Sequence, residues 1–151
     1  MTNKLIHIVY IIYYQIHLLI CFIFRPTVYG SYVAVWCEGK ILIIKNSYKK
    51  FFTVPCGSID KGETPIEAAV RELYEETGIK AETSELTLFK TYLNLEEYKK
   101  DNIHFYEIYL KNIPEIIVDN REVIWGEFLD PKKALEKSLF TPVKLYLTEK
   151  N

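Results

Sequence analysis

The stretch Gly57–Ile79, GSIDKGETPIEAAVRELYEETGI, decides how the rest of the chain is read. It holds the clearest helix in the sequence, Thr64 to Gly78. Thr64 can cap it, and Glu67 three residues on completes a capping box. Pro65 suits the first helical position and Gly78 the residue just past the end. At about 100° per residue, Ile66, Ala69, Val70, Leu73 and Thr77 share one arc and form the buried stripe. Glu72, Glu75 and Glu76 stand at relative positions 0, 3 and 4, clustered on a face turned away from that stripe. Three like charges on adjacent turns repel by a few tenths of a kcal/mol per pair, roughly, and Arg71 relieves only part of this. The helix macrodipole also disfavours anions near the C-terminal end, so helix stability does not account for Glu75-Glu76. One account is a solvated acidic face. The other is a carboxylate cage for a hard divalent cation, which would remove the repulsion and bridge to substrate phosphates. Next to a glycine-containing loop, such a cage reads as phosphoanhydride chemistry.

Gly57, Glu63, Arg71, Glu72, Leu73, Glu75, Glu76, Gly78 and Ile79 together satisfy G-x5-E-x7-R-E-U-x-E-E-x-G-U, where U is a bulky aliphatic residue. This is the Nudix box, and the chain resembles the Nudix hydrolase family. Seven positions demand one residue type, so the pattern arises by chance at about 10⁻⁸ per starting point. The resemblance extends beyond the box: Pro26–Val54 is similar to the hairpin and strand that precede it in the family. Glu122–Leu147 is similar to its final strand and helix. An apolar N-terminal segment joined to Arg-Pro also resembles some small bacterial members.

The resemblance implies an α/β fold, a Nudix-type α/β/α sandwich with a mixed β-sheet, over residues 26–151. It implies an enzyme that hydrolyses a phosphoanhydride in a nucleoside diphosphate linked to another moiety, with Mg²⁺ or alternatively Mn²⁺. Glu72, Glu75 and Glu76 are similar to the metal ligands, and Arg71 to the arginine that orients them. Glu63 resembles the glutamate that ties the loop to the helix, with Gly57 and Gly78 structural in the box. An acid from outside the box often assists, for which Glu122 is the candidate and Glu127 the second. Where the family usually has two glycines, Cys56 precedes Gly57; its backbone carbonyl still offers a metal ligand if the backbone angles suit a residue with a Cβ. Nothing nearby in sequence suggests a lowered Cys56 pKa. Asp60 stands where glutamate is commoner. The rival from another class is a non-catalytic nucleotide-binding module, in which loss of a box carboxylate is expected; here all are present.

Outside the box the residues say less about substrate. Trp36, Tyr48, Phe51, Tyr92 and Trp125 can stack a base, but in a chain with 22 aromatics most belong to the core. The lysines at 45, 49 and 50 can meet phosphates, although a solvated loop is the plainer reading.

At 151 residues, with 49% hydrophobic residues, the chain fits one domain able to bury a core. Nineteen Lys and Arg against 20 Asp and Glu leave no basic excess, so no nucleic-acid partner is expected and a polyanion must be met by a local site. Cys21, Cys37 and Cys56 are odd in number with no metal-knuckle spacing, which suits a reducing, cytoplasmic setting.

Residues 1–25 read as an apolar N-terminal helix. From Leu5 to Phe24 only His7, Gln15 and His17 are strongly polar, and about 30 Å of helix would match a bilayer core. No small-residue cleavage site follows, which weighs against a signal peptide. As a membrane anchor it would leave the rest of the chain cytoplasmic, because Arg25, Lys40, Lys45, Lys49 and Lys50 outnumber Lys4. As a docking or homodimerisation helix it would use His7, Tyr10, Tyr14, His17 and Cys21, which share one face. These readings stay open. Arg25-Pro26 ends the helix. Ser31–Cys37 and Ile41–Ile44 form a hairpin about Glu38-Gly39-Lys40, with Phe51–Val54 extended before the break at Pro55. Further strands follow at Leu86–Leu95, Ile103–Leu110 and Val123–Leu129. Helical segments follow at Pro131–Leu139 and Pro142–Leu147.

Overall fold

A computed structural model describes residues 3–150 of the chain. The elements run α1 (Asn3–Phe24), β1 (Thr27–Cys37), β2 (Lys40–Asn46), β3 (Cys56–Ser58), α2 (Pro65–Thr77), β4 (Thr87–Asn94), β5 (Lys100–Leu110), β6 (Val123–Leu129), α3 (Pro131–Leu135) and α4 (Thr141–Lys150). The sheet order is β4-β5-β1-β2-β6, with β3 paired to the first half of β1. Only the β1–β5 pair is parallel, so the sheet is mixed.

Almost the whole of β1 is buried, and its side chains alternate between two cores, as the period of a strand requires. Val33 and Val35 join Leu42, Ile44, Tyr106 and Ile108 beneath Ala69 and Leu73 of α2. Tyr32, Ala34 and Trp36 join Ile41, Ile43 and Phe105 beneath Val143, Tyr146 and Leu147 of α4. Helices therefore cover both faces of one sheet, the α/β/α sandwich that the sequence led us to expect.

The α2 helix carries the expected caps. Thr64 and Glu67 make both capping-box bonds, and Gly78 takes the left-handed conformation at φ 74°. A Cβ at Gly78 would also lie 3.1 Å from Ile117 Cβ, so space and backbone both select glycine there.

Two segments depart from expectation for tertiary reasons. Phe51–Val54 makes only single bridges, Ile44 to Thr53 and Phe52 to Leu139, and the ladder with β1 begins beyond Pro55 at Cys56. Proline has no N–H to donate, although its carbonyl does accept from Val33 N at 2.9 Å. The helix expected over Pro131–Leu139 stops at Leu135. Phe52 N donates to Ser138 O at 2.8 Å and Phe140 N to Phe52 O at 2.9 Å, which draws residues 138–140 out of the helix.

The α1 helix lies against the domain through the face that carries His7, Tyr10, Tyr14, His17 and Cys21. His7 Nε2 donates to Asn120 O at 2.9 Å, Tyr10 stacks on Tyr48 at 5.7 Å, the Tyr14 hydroxyl donates to Glu97, and Cys21 is fully buried. Beyond the helix, Arg25 adopts a positive φ and packs its guanidinium over Phe22 and Tyr98. The other faces, including Ile8, Ile12, Ile16, Leu19 and Ile23, are exposed. By length and composition α1 is long and apolar enough to cross a membrane.

The α4 core closes on a polar chain: Trp36 Nε1 donates to Tyr146 Oη at 2.6 Å, and Tyr146 Oη donates to Glu107, which also meets Lys150 at 2.9 Å and Tyr109 Oη at 3.2 Å. Tyr146→Phe would leave the Trp36 N–H unpaired in a buried layer and remove one of the donors to Glu107, which keeps Lys150 and Tyr109. We expect it to lower unfolding free energy by about 1–3 kcal/mol in a denaturant titration, with the far-UV spectrum unchanged.

Candidate active site

The C-terminal half of α2, the β3 strand and the loops on either side of the sheet enclose a cavity of about 360 Å³. Glu72 and Glu75 line it from α2, and Glu122 from the loop before β6. Arg71 organises one side. Its Nε and Nη2 each reach a Glu63 oxygen at 2.9 Å, and Nη2 also donates to Ser58 O at 2.9 Å. Its Nη1 reaches Glu72 at 2.6 Å and Glu75 at 3.3 Å. Hydrogen bonds from Arg71 hold the Glu63 carboxyl below its usual pKa. The same fork ties the loop to the helix.

Gly57 is required by contact. A Cβ there would fall 2.0 Å from Glu72 Oε1, so only a residue without a side chain lets this carboxylate lie against the loop. Desolvation raises the Glu72 pKa, and Arg71 offsets only part of that.

Glu76 differs from its neighbours. The helical wheel placed it on the outward acidic face, but it is buried, 6% exposed. Its Oε2 accepts from Cys56 N at 2.8 Å and its Oε1 from Asn46 Nδ2 at 3.2 Å. Burial pushes its pKa up to about 8, against the lowering effect of the Cys56 N–H. Glu76 follows Leu73 by three positions, so it turns partly inward with the stripe, under the loop that crosses the helix end. Cys56 itself is buried, and desolvation pushes its thiol pKa up to about 12, which makes it unreactive.

The donors are of the right kind for a hard cation, all carboxylate oxygens, and Glu72, Glu75 and Glu122 line the cavity. Their present directions are set by Arg71 and Cys56 N–H, however. Among the described residues no group of three or more His, Cys, Asp or Glu side chains converges closely enough to hold a metal ion. Glu75 is the most exposed of the three, at 56% against 15% for Glu72.

Of the other residues singled out, Glu122 accepts from Tyr48 Oη at 2.8 Å, while Glu127 is exposed on β6 away from the cavity. Among the stacking candidates only Tyr48 lines the cavity; Trp36 and Tyr92 are buried in the core, and Phe51 and Trp125 pack against it. Lys49 lines the cavity, whereas Lys50 is exposed and Lys45 is tied to the carbonyls of Asn46 and Lys49.

Sequence reasoning missed the far wall. Glu97, Lys99 and Asp101 line it, with Lys99 Nζ 3.1 Å from Glu97 and 3.4 Å from Asp101. Glu97 and Tyr98 both have positive φ without being glycine, and α1 clamps this strained turn through Tyr14 and Phe22. Tyr13, Tyr14 and His17 of α1 complete the wall. The charge run between β4 and β5 and the polar stripe of α1 were the available signals, but neither alone says that they meet.

A family model described as NUDIX domain matches residues 29–148, well over half of the chain. An ADP-ribose pyrophosphatase of Bacillus subtilis is 30% identical over 117 residues, covering 75% of this chain and 59% of that protein. An RNA pyrophosphohydrolase of Brucella anthropi is 48% identical over 50 residues, 31% of this chain and 29% of that protein. The chain thus spans less than two thirds of the length of these curated relatives. The NUDIX domain of Shewanella oneidensis NrtR, solved in complex with ADP ribose, matches with a TM-score of 0.72 at 14% identity, over 85% of this chain and 88% of that one, a likeness of fold alone. With every box residue in place around α2 and the family model running from β1 into α4, the chain belongs to the NUDIX domain family.

Proposed function

We propose that the protein hydrolyses a phosphoanhydride bond in a nucleoside diphosphate linked to another moiety, with a divalent cation held by Glu72, Glu75, Glu76 and the Cys56 carbonyl. The observation that carries this reading is that Glu72, Glu75 and Glu122 line one cavity, with Glu76 buried and bonded to Cys56 N–H. The printed names of the curated relatives, an ADP-ribose pyrophosphatase and an RNA pyrophosphohydrolase, support it.

Magnesium, or manganese in its place, would supply charge neutralisation of the diphosphate and orientation of the attacking water. The chain's own groups do the rest. Arg71 holds Glu63, Glu72 and Glu75 in register, so the carboxylates are ordered before a ligand arrives. Glu75 is exposed enough to swing from Arg71 and accept a proton from water, with Glu76 the other candidate. Glu122, oriented by the Tyr48 hydroxyl, is the assisting acid from outside the box. The Glu76 carboxyl, with its raised pKa, ionises fully at neutral pH only when a cation approaches.

We also infer that α1 works docked on the domain. A bilayer-spanning α1 would give up the His7, Tyr10, Tyr14 and Cys21 contacts and remove one wall of the cavity. A reducing cytoplasmic setting suits the three free, buried cysteines.

The second reading is a domain that binds a nucleotide without cleaving it. The pairing of Glu72 and Glu75 with Arg71, in place of convergence on one point, favours it. A screen of nucleoside triphosphates, dinucleoside polyphosphates, nucleotide sugars and ADP-ribose with Mg²⁺ separates the two. At least one should be hydrolysed in a metal-dependent way. Glu75→Gln and Glu76→Gln should each cost about 10²-fold or more in kcat, with circular dichroism unchanged. Near-normal rates in either variant refute its role, and binding without hydrolysis across the screen supports the second reading.

Stability gives a separate check. The folded pKa of Glu76 lies above the unfolded value of a glutamate, so folding favours its protonated form. In EDTA, that contribution is full below about pH 4.5 and is lost as pH rises toward about 8. Calorimetric Tm values at pH 5, 6.5 and 8 should show this decline, Glu76→Gln should flatten it, and Mg²⁺ should raise Tm most at pH 8.

A further inference from the structure

Six acids, Asp60, Glu72, Glu75, Glu97, Asp101 and Glu122, line the cavity, against two lysines. A diphosphate entering it meets a repulsive field, and a cation among the α2 carboxylates would neutralise only one side. What holds the phosphoryl oxygens turned away from those carboxylates is therefore a separate physical question. Lys99 is not available for it, because its ammonium is already shared between Glu97 at 3.1 Å and Asp101 at 3.4 Å.

Lys49 is differently placed. Among the described residues no carboxylate lies within ion-pair distance of its ammonium, which sits 5.8 Å from the ring centres of both Tyr48 and Phe51. Burial lowers its pKa, but the surrounding Cys56, Glu97, Glu76 and Glu122 outweigh that, so the side chain stays charged at neutral pH. The loop that carries it is clamped. The Tyr48 hydroxyl donates to Glu122, and the Tyr48 ring lies between Tyr10 and Tyr14 of α1 at 5.7 and 5.3 Å. Lys45 binds the Lys49 carbonyl from behind. A charged ammonium that lines an acidic cavity without an ion-pair partner of its own is a preformed partner for a phosphate.

We propose that Lys49 is a substrate-binding residue that grips the diphosphate within the cavity, and so selects phosphorylated ligands. This rests on the phosphoanhydride reading above, and the loop that carries Lys49 owes its position to the docked α1.

The test uses the full chain with three measurements: Mn²⁺ binding by electron paramagnetic resonance, calorimetric binding of methylenediphosphonate with Mg²⁺ present, and calorimetric binding of adenosine. Lys49→Met should weaken methylenediphosphonate about tenfold or more, while Lys49→Arg stays within about threefold of wild type. Adenosine binding should be the same in all three proteins. A Lys49→Met protein that binds methylenediphosphonate as wild type does overturns the proposal. Tighter Mn²⁺ binding with undiminished diphosphonate affinity also overturns it, since Lys49 would then only neutralise the acids. Mn²⁺ binding by the wild type, with both variants binding diphosphonate as the wild type does, leaves the metal site standing and removes Lys49 alone. Wild-type protein that binds neither Mn²⁺ nor diphosphonate removes the phosphoanhydride reading, and this assignment with it.

Discussion

Arg71 and the bare backbone at Gly57 solve one electrostatic problem on which the site depends. Glutamates on successive turns of α2 repel one another, and two of them are partly or wholly removed from water. The guanidinium reaches Glu63, Glu72 and Glu75 at once, neutralising part of the charge and fastening the loop over the helix. The missing side chain at 57 lets Glu72 approach where any Cβ would collide with it at 2.0 Å. Burial, with mutual repulsion as the smaller cause, raises the Glu72 and Glu76 carboxyl pKa values.

The sheet supplies the platform. Because β1 is buried on both faces and pairs with β5 along its whole length, the start of β1 and the residues of β3 beside it are fixed in space. Ser31 Oγ on β1 donates to Pro65 O at 2.6 Å, which pins the first turn of α2 to the central strand. The helix that bears the acids is thereby set against the strand that bears Cys56 and Gly57, and the Glu76–Cys56 hydrogen bond follows from that placement.

The cavity has a second wall that the family pattern does not describe. The α1 helix turns His7, Tyr10 and Tyr14 inward, toward Asn120, Tyr48 and Glu97, and most of its aliphatic side chains outward. An apolar helix has little reason to dock by hydrophobic burial when its apolar faces remain exposed. Its attachment is made by tyrosine and histidine hydrogen bonds and ring contacts, together with the buried Cys21. The strained turn at Glu97 and Tyr98 is held by the same contacts, so helix, turn and cavity wall form one mechanical unit.

Local rules read from the sequence determined α2 with both caps, the β1–β2 hairpin, the position of β6, the box around α2 and the shared face of His7, Tyr10, Tyr14, His17 and Cys21, because each depends on residues a few positions apart. Tertiary structure alone decided that Glu76 is buried, that the strand after Pro55 starts at Cys56, and that Phe52 stops α3 at Leu135 by pairing with residues 138–140. It also decided that α1, Lys49 and the Glu97–Asp101 charges enclose one cavity with the α2 acids. Those outcomes hinge on groups distant in the chain competing for the same space and hydrogen bonds, and neither periodicity nor spacing carries that information.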